Sequence, residues 1–143
     1  MKRPRRARVM SGMTNKRRVY FNQKQIDFVT AKQKVKTIIA GRGFGKSTLI
    51  ALILYLMLRA MPRAKVFFSS TTIEQIKNMT LPPVIAKLAE MGIIEGKHFV
   101  VGKDPWGANS KCRWFKRPIS PVKKYDNVIT FWNGLQVVML SAA

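Results

Sequence analysis

Apolar and polar positions along the chain form segments that predict helices and strands in turn. Between residues 20 and 31 the apolar side chains recur at spacings compatible with a short helix. The run VKTIIA, residues 35–40, is β-branched and ends in glycines, so it predicts a buried strand. Residues 47–61, STLIALILYLMLRAM, are apolar nearly all round and stop at Pro62. They predict a helix that is covered on most of its sides.

The pattern continues with a second strand and two helices. Residues 65–70, KVFFSS, predict the strand. The TTIEQ that follows holds two overlapping capping boxes, so we expect a helix to start there and to be broken by Pro82-Pro83. A further helix is expected from about Pro83 to Met91, with Gly92 as its stop.

The last third of the chain predicts a loop and a hairpin. His98 to Val101 reads as a short strand, and residues 104–126 are loop-like with four helix- and strand-breaking Pro and Gly positions. VITFW and LQVVML are joined by Asn133-Gly134, which predicts a hairpin because both turn residues tolerate positive φ. Strands that alternate with helices predict an α/β fold with a parallel-sheet core and flanking helices.

The charge of the chain indicates a polyanionic partner. Its 27 Lys and Arg outnumber 6 Asp and Glu, for a formal net charge of +21, and such a surface attracts nucleic acid first. Alternatively, the acidic residues lie in a partner segment outside this chain. Residues 1–18 hold eight basic residues and no acid, so we expect residues 1–19 to be a flexible basic arm, or a solvated tail that only aids solubility. Residues 20–143 fit one domain.

Several classes of protein are excluded by composition. A lone Cys112 and a lone His98 allow neither an internal disulfide nor a cysteine zinc site. The longest apolar run, residues 49–58, is shorter than the roughly 20 residues that a membrane span needs. No apolar signal core follows the basic N-terminus, and no membrane partner is expected.

Residues 40–47, AGRGFGKS, carry the strongest chemical signal. They lie between a predicted strand and a predicted helix, which is the order that a phosphate-binding loop requires. Glycines let backbone N–H groups approach phosphate oxygens, and the helix N-terminus adds partial positive charge. Lys46 can reach the β- and γ-phosphates of ATP, while the Ser47 hydroxyl can bind Mg²⁺. Ala40 departs from the strict G-x-x-x-x-G-K-[ST] pattern, and we interpret it as a tolerated variant.

Residues 41–47, GRGFGKS, resemble the phosphate loop of the large terminase subunit of tailed phages, the ATPase of the DNA-packaging motor. The resemblance implies a P-loop NTPase fold of the RecA/ASCE-like type. It also implies that Arg42 contacts the γ-phosphate during hydrolysis, where a guanidinium neutralises developing charge. The alternative for Arg42 is a solvent-facing loop residue.

Residues 21–25, FNQKQ, resemble the glutamine motif with which these motors and related helicases recognise adenine. Gln25 fits best and Gln23 is its competitor; a plain surface-helix role is the alternative. KVFFSSTTIEQI and YDNVITFWNGLQVVMLSA match more loosely, so the resemblance covers about residues 20–142. Arg42 and Lys46 are the expected catalytic residues. The expected nucleotide-binding residues are Gln25, Gly41, Arg42, Gly43, Phe44, Gly45, Lys46, Ser47 and Thr48.

The acidic residues that hydrolysis requires are missing. This fold needs an apolar strand ending in Asp-Glu, to hold Mg²⁺ and to orient the attacking water, and none of the six acids forms such a pair. We therefore expect the N-terminal part of a motor ATPase, or a truncated product, that barely hydrolyses ATP. By resemblance, the whole protein would drive double-stranded DNA into a procapsid as a homo-oligomeric ring. It would meet a portal protein and a small terminase subunit in the host cytoplasm, and it would be absent from the mature virion.

Residues 105–125 hold no acid, and their six basic residues surround Trp106, Trp114 and Phe115. Cations among aromatics suit a nucleic-acid backbone with some base stacking; the alternative is a solvated loop whose aromatics enter the core. The candidate DNA contacts are Lys116, Arg117, Lys123 and Lys124. Two other functions stay open at this point, a helicase-like P-loop ATPase and a basic DNA-binding module without nucleotide chemistry.

Overall fold

A computed structural model describes residues 19–142 of the chain. The predicted basic arm, residues 1–19, therefore lies outside the described residues except for Val19. The secondary structure is mixed α/β. In chain order the elements are α1 (Gln23–Thr30), α2 (Lys46–Ala60), β1 (Lys65–Ser70), α3 (Ile73–Gln75), a π-helical segment (Ile76–Thr80), α4 (Leu81–Glu90), β2 (Phe99–Val101), β3 (Val128–Phe131) and β4 (Gln136–Ser141).

The four strands form one mixed sheet in the order β1-β4-β3-β2. β1 and β4 are parallel, with Lys65 opposite Gln136 and Ser70 opposite Ser141. β3 is antiparallel to both of its neighbours, β4 and β2. The predicted parallel-sheet core is thus wrong for two of the three strand pairs, because the hairpin and its neighbour β2 add antiparallel strands to one parallel pair.

The hydrophobic core lies between the sheet and the helices α2 and α4. Fourteen buried residues form one cluster, with the sheet contributing the largest fully buried side chains, Phe99 and Phe131. Ala51, Leu54 and Leu58 face this cluster from α2. The apolar stripe of α2 therefore covers one face of the sheet, which is the usual way that a helix buries its side chains.

The predicted strand at residues 35–40 does not form. This segment has no regular secondary structure and pairs with none of the four strands. Val35 is 85% exposed and Ile39 is 97% exposed, so the prediction of a buried strand is wrong. A β-branched run becomes a strand only where a neighbour supplies ladder hydrogen bonds, and this run has no such neighbour among residues 19–142.

The predicted covering of α2 on most of its sides is confirmed in part. Only Leu49, Ala51, Leu54 and Leu58 are buried in this helix, and Leu56 on its outer side is exposed. The sheet and α4 cover one side of α2, while Phe28 and Val29 of α1 line an open cavity together with Leu56 and Met57 on the other side. Within residues 19–142, no helix has the length and apolar character needed to cross a membrane.

Pro82 and Pro83 do not break the helix that precedes them. The chain stays helical from Ile73 to Glu90, through the π-helical segment. Thr72 caps the start, as predicted, since its hydroxyl accepts from the Gln75 backbone N–H at 3.2 Å. The two prolines lie in the first turn of α4, where a missing N–H is tolerated, and the wider π turn precedes them.

The Asn133-Gly134 hairpin is confirmed, because β3 and β4 pair in antiparallel fashion across it. Gly134 has φ +88°, whereas Asn133 is not among the residues with positive φ. The buried Asn133 amide instead donates to the Leu58 carbonyl at 2.7 Å. This bond satisfies a carbonyl near the C-terminus of α2 and ties the hairpin tip to that end of the helix.

Candidate functional site

The glycine loop, residues 40–47, leads directly into the 15-residue helix α2. Gly43 and Gly45 have φ of +81° and +84°, a conformation that other residues adopt only with strain. Gly45 is the N-terminal cap residue of α2 and has no side chain to satisfy the first amides of the helix. Within residues 19–142, the backbone N–H groups of residues 41–48 donate to no protein acceptor. A run of free N–H donors at a helix N-terminus is an anion-binding arrangement.

The two basic side chains of this loop are exposed, and their settings differ. The Lys46 ammonium turns back over the loop and donates to the Ala40 carbonyl at 2.9 Å. Arg42 is exposed and makes no side-chain hydrogen bond to the rest of the described chain. A phosphate group would offer both cations a stronger partner than a neutral carbonyl or water does. Their catalytic roles stay predictions.

Ser47 and Thr48 lie in the first turn of α2, among the residues whose backbone N–H groups have no protein acceptor. Neither hydroxyl is hydrogen-bonded within the described region. The Ser47 oxygen has the hard-ligand chemistry that Mg²⁺ prefers, and Mg²⁺ in nucleotide sites takes most of its other ligands from phosphates and water. Residues 19–142 contain no cluster of three or more His, Cys, Asp or Glu that could hold a metal ion by itself.

Gln25 is buried, 3% exposed, and contacts the loop directly. Its side-chain nitrogen donates to the carbonyls of Phe44 and Gly45, at 3.2 and 3.0 Å. Its side-chain oxygen accepts from the Asn22 backbone N–H at 3.0 Å, as part of the capping box that begins α1. The competitor Gln23 is exposed and bonds to Asp27 at 2.8 Å. The structure thus joins Gln25, and not Gln23, to the loop; adenine recognition stays a prediction.

The glycine loop lies at the carboxyl end of the parallel strand pair. α2 ends at Ala60 and β1 begins at Lys65, so a short turn joins the end of the helix to the start of the strand. Side chains along both elements, from Ile50 to Met57 and from Val66 to Phe68, line one apolar cavity, so the two elements run side by side in opposite directions. The start of α2 therefore lies beyond the carboxyl ends of β1 and β4, where open α/β sheets bind ligands.

The basic loop, residues 105–125, lies at the opposite end of α2. The Arg63 side chain, in the turn between α2 and β1, donates through Nε to the Arg117 carbonyl at 2.8 Å. The Arg63 carbonyl accepts from the Ile119 N–H at 3.2 Å. Because a 15-residue helix spans about 22 Å, Lys116 and Arg117 are remote from the glycine loop. The two cationic regions are separate sites.

Some aromatic side chains of the basic loop are packed inside the protein, and another is exposed. Phe115 is buried, and the Trp106 indole N–H donates to the Phe115 carbonyl at 3.0 Å. The Arg117 guanidinium lies over the Trp106 ring, 5.1 Å from its centre. Burial, and secondarily the Asp104 carboxylate, raises the pKa of Tyr125, whose ring meets that of Trp106 edge-on. Trp114 is 59% exposed, so its ring is accessible for stacking on a nucleic-acid base.

The cations of this loop are not neutralised by acids. Lys116, Lys123 and Lys124 are exposed and their side chains make no hydrogen bond to described residues. The only ion pair among residues 19–142 joins Lys87 to Glu90, in α4. Uncompensated, solvent-facing charge of one sign is the electrostatic property that attracts a polyanion.

Two features of these sites are not predicted by the sequence. One is Arg63, which has φ +63° and anchors the basic loop; nothing in its local pattern indicates this role. The other is the bond from Gln25 to the loop, for which the only signal is the Asn22-to-Gln25 capping spacing. Both depend on contacts between residues far apart in the chain, 54 and 20 positions respectively.

Comparison of the chain with protein-family models, with curated proteins and with solved structures gives no match. The chemistry assigned to residues 40–48 therefore rests on loop geometry and residue type, and the terminase resemblance remains a hypothesis.

Proposed function

We propose that residues 40–48 bind the phosphates of ATP, and that the chain is the nucleotide-binding segment of a terminase-type motor that moves double-stranded DNA. The observation that carries the proposal is the run of unsatisfied N–H groups at residues 41–48, placed at the start of α2 with Lys46 beside it. Eight free donors, a helix N-terminus and an ammonium group together suit a triphosphate better than a single-charge anion.

Different residues of the glycine loop would contact different parts of the bound nucleotide. The amides and the ammonium of Lys46 would hold the phosphate chain, and the Ser47 hydroxyl would supply one ligand to its Mg²⁺. Arg42, exposed on the loop, is suited to neutralise charge on the terminal phosphoryl group. None of the acidic residues forms an Asp-Glu pair at the end of an apolar strand. We therefore propose efficient ATP hydrolysis only for an assembly that supplies such a pair.

The basic loop supports the proposal that the protein acts on double-stranded DNA. Its exposed cations lie at the far end of α2 from the nucleotide, which leaves room for both polyanions at once. Contacts to phosphates position a duplex without reading its sequence, as a packaging motor requires. By resemblance alone we further propose a ring of copies acting with a portal protein and a small terminase subunit.

Nuclear magnetic resonance of the ¹⁵N-labelled chain tests where ATP binds. Addition of Mg²⁺ and a non-hydrolysable ATP analogue is expected to shift the amide signals of Gly41, Gly43 and Gly45 most, because their N–H groups acquire acceptors. DNA serves as the comparison polyanion, and it is expected to shift residues 111–125 instead. The proposal fails if the analogue shifts only the signals that DNA shifts, since that result indicates a basic module without a nucleotide site.

Removing charge from the basic loop is expected to weaken DNA binding without changing ATP binding. In a variant with all four candidate residues changed to glutamine, the slope of log affinity against log salt should fall by about one unit for each DNA phosphate that the loop no longer neutralises. Filter binding of a duplex of random sequence over a series of salt concentrations measures this slope. The changed positions are Lys116, Arg117, Lys123 and Lys124.

A matched control removes the same charge elsewhere. Four exposed lysines whose side chains are not hydrogen-bonded within the described chain are changed to glutamine. The control variant should retain most of the slope of log affinity against log salt. If the slope decreases equally in the two variants, DNA binding depends only on the net charge of the chain. The control positions are Lys24, Lys32, Lys34 and Lys97.

A further inference from the structure

We infer that Gln25 is a positioning residue that sets the shape of the glycine loop, and that it supports nucleotide binding through the phosphates and not through the base. The inference rests on the proposed nucleotide-binding function of the loop. It goes further by stating how one buried side chain determines what the loop can bind.

All the hydrogen-bonding groups of the Gln25 side chain are engaged. Its nitrogen donates to the Phe44 carbonyl at 3.2 Å and to the Gly45 carbonyl at 3.0 Å, so both of its contacts are to the loop. Its oxygen accepts from the Asn22 N–H at 3.0 Å. A primary amide that reads the edge of a base needs one free donor and one free acceptor. The Gln25 oxygen keeps a second lone pair, but its nitrogen can supply a donor to a base only by releasing a loop carbonyl.

The two carbonyl contacts orient the amides that a phosphate would need. In a trans peptide the C=O and the N–H point in opposite directions. The Phe44 carbonyl shares its peptide unit with the Gly45 N–H, and the Gly45 carbonyl shares its unit with the Lys46 N–H. Among the described residues the Phe44 carbonyl is held only by Gln25, so its contact turns the Gly45 N–H away from that side chain. The Gly45 carbonyl also accepts from the Leu49 N–H at 3.0 Å, so Gln25 and α2 together set the direction of the Lys46 N–H.

Little else in the described structure holds this loop. A side chain at Gly41 or Gly43 would meet no atom within 4 Å, so the middle of the loop is unpacked. Within residues 19–142, Gln25 makes the only hydrogen bonds to residues 41–45 that come from outside the loop and its helix. At Gly45 a Cβ atom would lie 2.6 Å from the Gln25 nitrogen, so the contact also requires glycine at that position.

This role predicts that the contribution of Gln25 is independent of the base. We expect Gln25→Met, which keeps the length of the side chain but cannot hydrogen-bond, to weaken binding of ATP, GTP and inorganic tripolyphosphate by the same factor of about ten. Gln25→Glu should do the same, because its carboxylate faces two carbonyl oxygens. Gln23→Met, on the exposed side of the same helix, is the matched control and should leave all three affinities unchanged.

Isothermal titration of the three ligands against each variant, with Mg²⁺ present, tests the inference. A weaker affinity for ATP with tripolyphosphate unaffected would overturn it, because Gln25 would then read adenine. Unchanged affinities for all three ligands would overturn it as well.

A ligand-free measurement separates this inference from the proposed function. In Gln25→Met the amide signals of Gly45 and Lys46 should move, whereas in Gln23→Met they should not. If the wild-type chain binds none of the three ligands, the proposed function falls, and the amide signals still decide whether Gln25 sets the loop. Unmoved Gly45 and Lys46 signals would refute the positioning role by themselves.

Discussion

Replacing Lys46 by alanine is expected to weaken binding of ATP by about 10- to 100-fold. Hydrogen bonds from a charged donor contribute about 1.5–3 kcal/mol, and the Lys46 ammonium is the charged donor that lies beside the free amides of the loop. The side chain is exposed, so its removal should leave the fold intact. Titration with a fluorescent ATP analogue measures the affinity, and thermal unfolding checks that the variant folds.

Lys36→Ala is a closely matched control for this prediction. Lys36 is also exposed, and its ammonium also donates to a backbone carbonyl, that of Val29, at 2.9 Å. Both variants lose one positive charge and one such bond. Equal decreases in ATP affinity would show that the chain attracts the nucleotide through net charge alone, and the proposed site would be wrong.

Replacing Gly134 by alanine is expected to destabilise the fold by about 2–4 kcal/mol. Its φ of +88° is strained for a residue with a side chain. The added Cβ would also lie 3.0 Å from the Lys116 carbonyl and 3.1 Å from the Arg117 carbonyl, with the Arg63 Cγ at 2.9 Å. The backbone of the basic loop would have to move, since carbonyl groups cannot rotate away as a side chain can. Urea unfolding followed by tryptophan fluorescence measures the free energy.

Gly96→Ala separates the effect of backbone strain from the effect of close contacts to the added Cβ. Gly96 has φ +82°, but a Cβ there would meet no atom within 4 Å. It should cost only the backbone strain, about 1–2 kcal/mol. If the two variants are equally destabilised, the close packing of the basic loop against the hairpin contributes nothing to stability.

The glycine loop shows how far local sequence determines a candidate site. Glycines at fixed spacing before a long apolar run predict the loop, the start of α2 and the Lys46 side chain beside it, and the structure has all three. The resemblance of residues 21–25 to a glutamine motif implies that the amide of Gln25 recognises adenine. The contacts of this amide to Phe44 and Gly45 within the described chain are visible only when α1 is placed against the loop.

The sequence by itself determined the elements whose signals act over a few residues. The strand KVFFSS, the helix between the glycine loop and Pro62, the stop at Gly92 and the Asn133-Gly134 hairpin all follow from side-chain periodicity and turn chemistry.

Only the tertiary structure decided which of these elements pair and what covers them. Residues 35–40 have the composition of a buried strand yet remain exposed, since no described strand offers them a ladder. The prolines at 82 and 83 lie inside a continuous helical stretch, and the basic loop is anchored at the end of α2 remote from the glycines. Strand pairing, burial and distance between sites depend on residues that are far apart in the chain, and local patterns carry no information about them.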